Sequence, residues 1–114
     1  PVLGICLGHQ VIGLAAGAAV YRDAERRESD SIELISDHPL FARIDSGTIF
    51  AQDHCEGLTE PNDFQILARS KFYPVEAIAN DSLRRYGVQF HPETSGQQGE
   101  KLLSNFLALA IGHG

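Results

Sequence analysis

The sequence lacks a long apolar run, a basic excess and a cysteine framework, and each absence removes a class of protein. No stretch approaches the ~18 apolar residues that a membrane-spanning helix needs, so no membrane partner is expected. No basic segment leads into an apolar one in the manner of a signal peptide. Lysine and arginine number 9 against 15 aspartates and glutamates, for a net charge of -6. Nucleic-acid binding rests on neutralising phosphates, so this balance argues against it. The two cysteines, Cys6 and Cys55, are too few for a secreted disulfide scaffold. A single disulfide is the competing reading, but the strand-to-helix setting of Cys6 points to reactivity more than to cross-linking. These features together favour a reducing, cytoplasmic compartment. The chain also lacks an initial methionine and opens directly on apolar residues, which reads as a fragment or a processed chain.

What is present is enough for one packed domain of 114 residues, with 43% hydrophobic residues, 21% charged residues and a mean hydropathy of -0.12. Val2 to Ile5 reads as a short buried strand. Val11, Ile12, Leu14, Ala15 and Ala16 then suit a helix packed on a sheet, stopped by Gly17. Ala18 to Tyr21 reads as a strand, giving strand, turn, helix, strand, an α/β signature. The charged run Asp23 to Asp30 is read as a solvated loop in preference to an interaction patch. Further strands are expected over Ser31–Ile35, Thr48–Ala51, Phe64–Ala68, Val75–Ala79 and Tyr86–His91, and Asp37–Phe41 reads as a turn into a single helical turn. Ser95 and Gln98 fit a capping box. It would open a last helix with Leu102, Leu103, Phe106, Leu107 and Ala110 on its apolar face and Gly112 as its stop.

Two segments carry chemistry. Gly4-Ile5-Cys6-Leu7-Gly8 is the cysteine version of the nucleophile elbow G-x-S-x-G. A strand turning sharply into a helix strains the central residue and pushes its side chain outward. Flanking glycines remove Cβ atoms that would clash in so tight a turn. The helix N-terminus beneath the sulfur would favour thiolate, and the N–H of Leu7 would donate to an oxyanion. The competing reading of these five residues is a buried structural cysteine beside two packing glycines. His91-Pro92-Glu93 is the second segment. Residues i and i+2 of an extended segment point to one side, so the Glu93 carboxylate could fix the tautomer of His91. Alone, a His-Pro at a strand end is usually a turn. Together, the two segments supply nucleophile, base and orienter at the C-terminal ends of strands, where α/β sheets place active sites.

Residues 1–10 and 86–93, Pro-Val-Leu-Gly-Ile-Cys-Leu-Gly-His-Gln and Tyr-Gly-Val-Gln-Phe-His-Pro-Glu, resemble the two signature blocks of class I glutamine amidotransferases. Ser104-Asn105-Phe106-Leu107 resembles that family's final helix. The resemblance implies a flavodoxin-like α/β sheet with flanking helices, here its C-terminal portion. It implies L-glutamine as substrate, Cys6 attacking the side-chain amide, His91 moving the proton and Glu93 orienting it. It also implies substrate contacts from Leu7 and Gln10, ammonia passing to a synthase subunit or domain, and no cofactor. Asp37–Phe41, Phe64–Ser70 and Val75–Ile78 look most like the glutaminase part of GMP synthases. The alternatives are the glutaminase part of anthranilate or aminodeoxychorismate synthases, an amidotransferase-like protein of other substrate, a γ-glutamyl hydrolase, and a non-catalytic interaction module.

This sequence departs from the family in two places. The family's first half, with its second oxyanion donor, is not among these residues, so residues 1–114 are read as a partial domain that is impaired alone and able to self-associate through the exposed sheet edge. At Gln52–Glu56, Asp53 and Glu56 stand where Ser and Asp are common. Adjacent His54, Cys55 and Glu56 have poor chelate geometry, and no metal is expected.

Overall fold

The computed structural model describes residues 1–112. Strand β1 (Val2–Ile5) leads into helix α1 (Leu7–Ala15). Strands β2 (Val20–Arg26), β3 (Ser29–Leu34), β4 (Thr48–Ala51), β5 (His54–Leu58), β6 (Gln65–Arg69), β7 (Ala77–Asn80) and β8 (Arg85–Val88) follow. Short 3-10 turns lie at Pro39–Phe41 and Pro92–Thr94, and helix α2 (Gly96–Ala110) closes the order. Six strands form one sheet in the order β1-β8-β7-β6-β3-β4, while β2 and β5 pair apart from it. β1 runs parallel to β8, and the other ladders are antiparallel. The α/β class expected from sequence is therefore the architecture found.

Alternation along the strands sends side chains to two cores, as period two requires. Tyr86, Val88, Ala77, Leu67, Phe50 and Phe90 pack with Leu102 of α2. Ile78, Leu58 and Val75 face the other way, toward Ile12 of α1 and Val20 of β2. Gly13 is needed where α1 presses on this second core, because a Cβ there would overlap the Leu58 side chain. Among the described residues no helix is long and apolar enough to cross a membrane.

Several expectations are corrected. The run Asp23 to Asp30 is not a loop. It is the end of β2 and the start of β3, joined by Arg26 Nε donating to Asp30 Oδ2 at 2.9 Å, with Asp30 buried. His54–Leu58 is a strand that sequence reading missed, since it is short, polar at its start and paired only at long range with β2. Val11 and Leu14 are exposed, and α1 meets the sheet through His9, Gln10 and Gly13. The capping box does not form: Ser95 Oγ donates to the His91 carbonyl at 2.6 Å and accepts from Ala51 N–H at 2.9 Å. Leu107 is exposed, and the inward stripe of α2 runs through Leu102, Asn105, Phe106 and Leu109. Asn105 belongs to that stripe because its amide donates to the carbonyls of Leu40 and Ala42, both at 2.9 Å. The stop at Gly17 is as read, with φ +87° and Ala18 N–H reaching back to the Gly13 carbonyl.

Candidate active site

The parallel register sets Ile5 opposite Val88, and the Cys6 N–H donates to the Val88 carbonyl at 2.9 Å. Each strand has run out at that point, so Cys6 and the segment leading to His91 leave the sheet at the same end. Cys6 has φ 55° and ψ -103°, a left-handed conformation outside the helical basin, and it forms the N-cap of α1. A non-glycine residue held there is strained, as the elbow reading requires. Gly4 makes the turn possible, because a Cβ on it would stand 2.5 Å from the Gly8 backbone. Gly8 is not needed for the same reason: a Cβ there meets no described atom within 4 Å.

The half-buried Cys6 sulfur lies 3.8 Å from the Asp53 carbonyl oxygen and 3.7 Å from Gln89 Nε2. Burial pushes the thiol above its ordinary value. The Leu7 N–H opposes the rise, and the carboxylates of Asp53, Glu56 and Glu93 add to it. The direction is opposite to the helix-favoured thiolate expected from sequence, because burial and the facing carboxylates outweigh the Leu7 N–H. Leu7 itself is 70% exposed, with its backbone N–H facing the sulfur.

His91 Nδ1 lies 2.7 Å from Glu93 Oε2. A carboxylate only accepts, so Nδ1 carries the hydrogen, which in the neutral imidazole leaves the lone pair on Nε2. The pair is made differently from the extended segment expected. β8 ends at Val88, and His91 precedes the 3-10 turn Pro92–Thr94 that swings Glu93 back to the ring. The His91 backbone is pinned by N–H to the Ala51 carbonyl at 2.9 Å and by Ser95 Oγ on its own carbonyl. No hydrogen bond joins His91 to the Cys6 sulfur among the described residues; such contacts often tighten only with substrate bound.

Gln10 is buried, and its Nε2 donates to Gln89 Oε1 at 3.2 Å, one residue removed from the sulfur. Gln89 was not singled out from sequence, although its place two residues before His91 is the signal that could have found it. His9 is fully buried against Gly87, and among the described residues neither ring nitrogen has a hydrogen bond of good geometry; desolvation holds its pKa down to about 3 against the raising effect of the Gly87 backbone. His54 Nε2 meets Gln52, while Cys55 Sγ lies 3.4 Å from Arg22 and donates to the Glu56 carboxylate. Both cysteines are free. Two concavities of about 490 and 450 Å³ lie elsewhere, around Arg84 and Tyr86 and around Tyr21 and Val75.

The family model for class-I glutamine amidotransferases matches residues 1–110. A glutamine-hydrolysing GMP synthase subunit of Pyrococcus abyssi is 38% identical over 112 residues, 96% of this chain and 60% of that protein. Its counterpart in Methanococcus maripaludis (strain C7) is 44% identical over 109 residues, covering 93% and 58%. The chain thus spans about 60% of the length of these curated relatives. The crystal structure of a Thermoplasma acidophilum protein, provisionally described as the corresponding GMP synthase subunit, superposes with TM-score 0.91 at 27% identity, over 99% of this chain and 58% of that one. A Thermotoga maritima glutamine amidotransferase shares the fold at TM-score 0.78 and 24% identity, over 99% of this chain and 49% of that one.

Proposed function

Because the chain belongs to the class I glutamine amidotransferase family, we propose that it carries the nucleophile, base and orienter of glutamine hydrolysis in Cys6, His91 and Glu93. The carrying observation is the parallel β1–β8 pair, which brings a strained elbow cysteine and a carboxylate-bound histidine to one end of the sheet. His91 Nε2 takes the thiol proton, and sulfur attacks the side-chain amide carbon of glutamine. The oxygen becomes an oxyanion facing the Leu7 N–H. His91 returns the proton to nitrogen, the C–N bond breaks and ammonia leaves, with a γ-glutamyl thioester on Cys6. Water then attacks the thioester, His91 takes its proton, and glutamate departs as that proton passes back to sulfur. The raised thiol supports a base-dependent nucleophile over a resting thiolate. The tie of Gln10 to Gln89, which itself reaches the sulfur, supports a substrate-side role for Gln10.

The named activity of the relatives supports ammonia transfer to a GMP-forming synthase partner. The test is release of glutamate and ammonia from glutamine by the full-length polypeptide, alone and with a GMP-forming synthase partner. Glutamine-dependent GMP formation that is lost in Cys6→Ala, yet restored by free ammonia, is the expected result. Activity on γ-glutamyl peptides in its place would support a γ-glutamyl hydrolase.

A further inference from the structure

Behind the elbow runs a chain of buried side chains that the steps above leave unused. His54 Nδ1 lies 2.8 Å from the Glu56 carbonyl oxygen, which only accepts, so Nδ1 is protonated. His54 Nε2 lies 2.8 Å from the Gln52 amide, whose other end lies 3.1 and 3.2 Å from the two Glu76 oxygens. Ser70 Oγ accepts the N–H groups of Phe72 and Tyr73 and therefore gives its own hydrogen to Glu76, at 2.7 Å. His54, Gln52 and Glu76 are all buried.

An amide has one donating and one accepting end. With its nitrogen toward Glu76, it donates to a carboxylate, and its oxygen requires an N–H from an imidazolium His54. Reversed, it donates to a bare His54 Nε2, and its oxygen requires an O–H from a neutral Glu76. Both arrangements contain the same single proton between Nε2 and the Glu76 carboxyl. Without it two buried acceptors face each other, and one hydrogen bond must break.

The surrounding groups bear on where that proton sits. Asp30 of β3, itself paired with Arg26 of β2, faces both ends and favours holding the proton. Glu56 of β5 favours charge on His54, while His91 and His9 oppose it. The Tyr73 ring packs 4.8 Å from the His54 ring, and Tyr21 faces Glu76. Burial pushes Glu76 up to about 7 and His54 down, which favours the arrangement with both groups neutral. Gln52 and His54 flank Asp53, whose carbonyl oxygen rests on the Cys6 sulfur.

We propose that Gln52, His54 and Glu76 are positioning residues, in which one proton shared through the Gln52 amide locks residues 52–56 so that the Asp53 carbonyl is held against Cys6. This rests on Cys6 being the reacting group, but its test needs no turnover. In the full-length polypeptide, His54 is followed by long-range ¹H–¹⁵N spectra and Cys6 by its iodoacetamide rate, between about pH 5 and 9. The expected result is a single step near pH 7 in the His54 Nε2 signal, with Nδ1 protonated on both sides. The same step should appear in the alkylation rate, superposed on thiol ionisation. Glu76→Gln satisfies the neutral chain without a titrating proton and removes the step from both profiles. Ser70→Ala removes a donor to the carboxylate and moves the step to higher pH, and it carries the test should Glu76→Gln fail to fold. Coincident profiles for the wild type and the folded variants would overturn the proposal. Loss of glutamine hydrolysis alone, with these steps intact, would count against the proposed function and leave the relay standing.

Discussion

His91 Nδ1 and Glu93 Oε2 stand 2.7 Å apart across a 3-10 turn, with the imidazole half-buried and the carboxylate exposed. In the proposed mechanism the exposed partner orients, while the ring moves the proton. His91→Ala is therefore expected to lower glutamine turnover by ~10²–10⁴. Glu93→Ala should lower it less, with KM little changed in both. Steady-state glutamate release by folded variants checks this, and equal losses would assign proton transfer to the pair as a unit.

The two elbow glycines are expected to differ. A Cβ on Gly4 meets the Gly8 backbone at 2.5 Å, and backbone cannot step aside as a side-chain tip can. Gly4→Ala should destabilise by ~1–3 kcal/mol, as overpacking does, and change the reactivity of Cys6. A Cβ on Gly8 meets no described atom within 4 Å, and Gly8 lies inside α1. Gly8→Ala should be neutral or stabilising by up to ~1 kcal/mol, the helix preference of alanine over glycine. Denaturant unfolding of both variants separates them.

Thiol labelling should discriminate strongly. Cys6 is half-buried on a strained turn, while Cys55 is only 8% exposed and gives its S–H to the Glu56 carboxylate at 3.2 Å. A glutamine-like diazoketone is expected to modify Cys6 and spare Cys55, as read by peptide mass spectrometry. First labelling of Cys55 would remove Cys6 from the nucleophile role.

Glu76 and His9 make opposed contributions to the pH dependence of stability. Glu76 is raised to about 7 in the folded state, so between its unfolded value near ~4.3 and about 7 the folded chain binds more protons than the unfolded one. Its contribution to stability is therefore full below that window and falls as pH rises through it. His9 is lowered to about 3. Below its unfolded value near ~6.5 the unfolded chain binds the extra proton, and stability falls as pH drops toward 3. Glu76→Gln should remove the loss on the alkaline side and leave the acid side unchanged. Thermal unfolding from about pH 3 to 8 checks the sign of both.

How much of this was legible in the sequence follows from how local each cause is. The elbow depends on Gly4, Cys6 and their immediate neighbours, and the His91–Glu93 pair on three consecutive residues, so both could be read directly. The start of β2 was legible in the strand read over Ala18 to Tyr21, but its continuation to Arg26 and all of β5 were not, because their pairing joins residues more than thirty positions apart in its central register and their polar side chains carry no clean alternation. The Asp23–Asp30 run read as solvated because the burial of Asp30 depends on Arg26 reaching it across a turn. Ser95 matched a cap in spacing, but its hydroxyl is claimed by His91 and Ala51, neither adjacent in sequence. The thiol's direction is hidden for a similar reason: the Leu7 N–H is local, whereas the burial and the carboxylates that outweigh it come from distant segments. Gln52 and Glu76 lie 24 positions apart, and nothing in either one's neighbours announces the contact.

The outer edge of β1 carries the last prediction. β1 pairs with β8 on one side and ends the described sheet on the other. Val2 on that edge and Leu7, Val11 and Leu14 on adjoining α1 are all large, apolar and exposed. An unpaired edge beside apolar surface is a template for another strand. Residues 1–114 expressed alone should therefore self-associate, and a longer polypeptide that supplies a strand along β1 should not. Sedimentation of both, with Val2→Lys in the short chain as the edge-blocking control, checks this. A monomeric short chain would show that the edge is tolerated in water. Association that survives Val2→Lys would place the contact on another face. Dispersal by Val2→Lys together with a monomeric longer chain would identify β1 as the surface through which the sheet is extended.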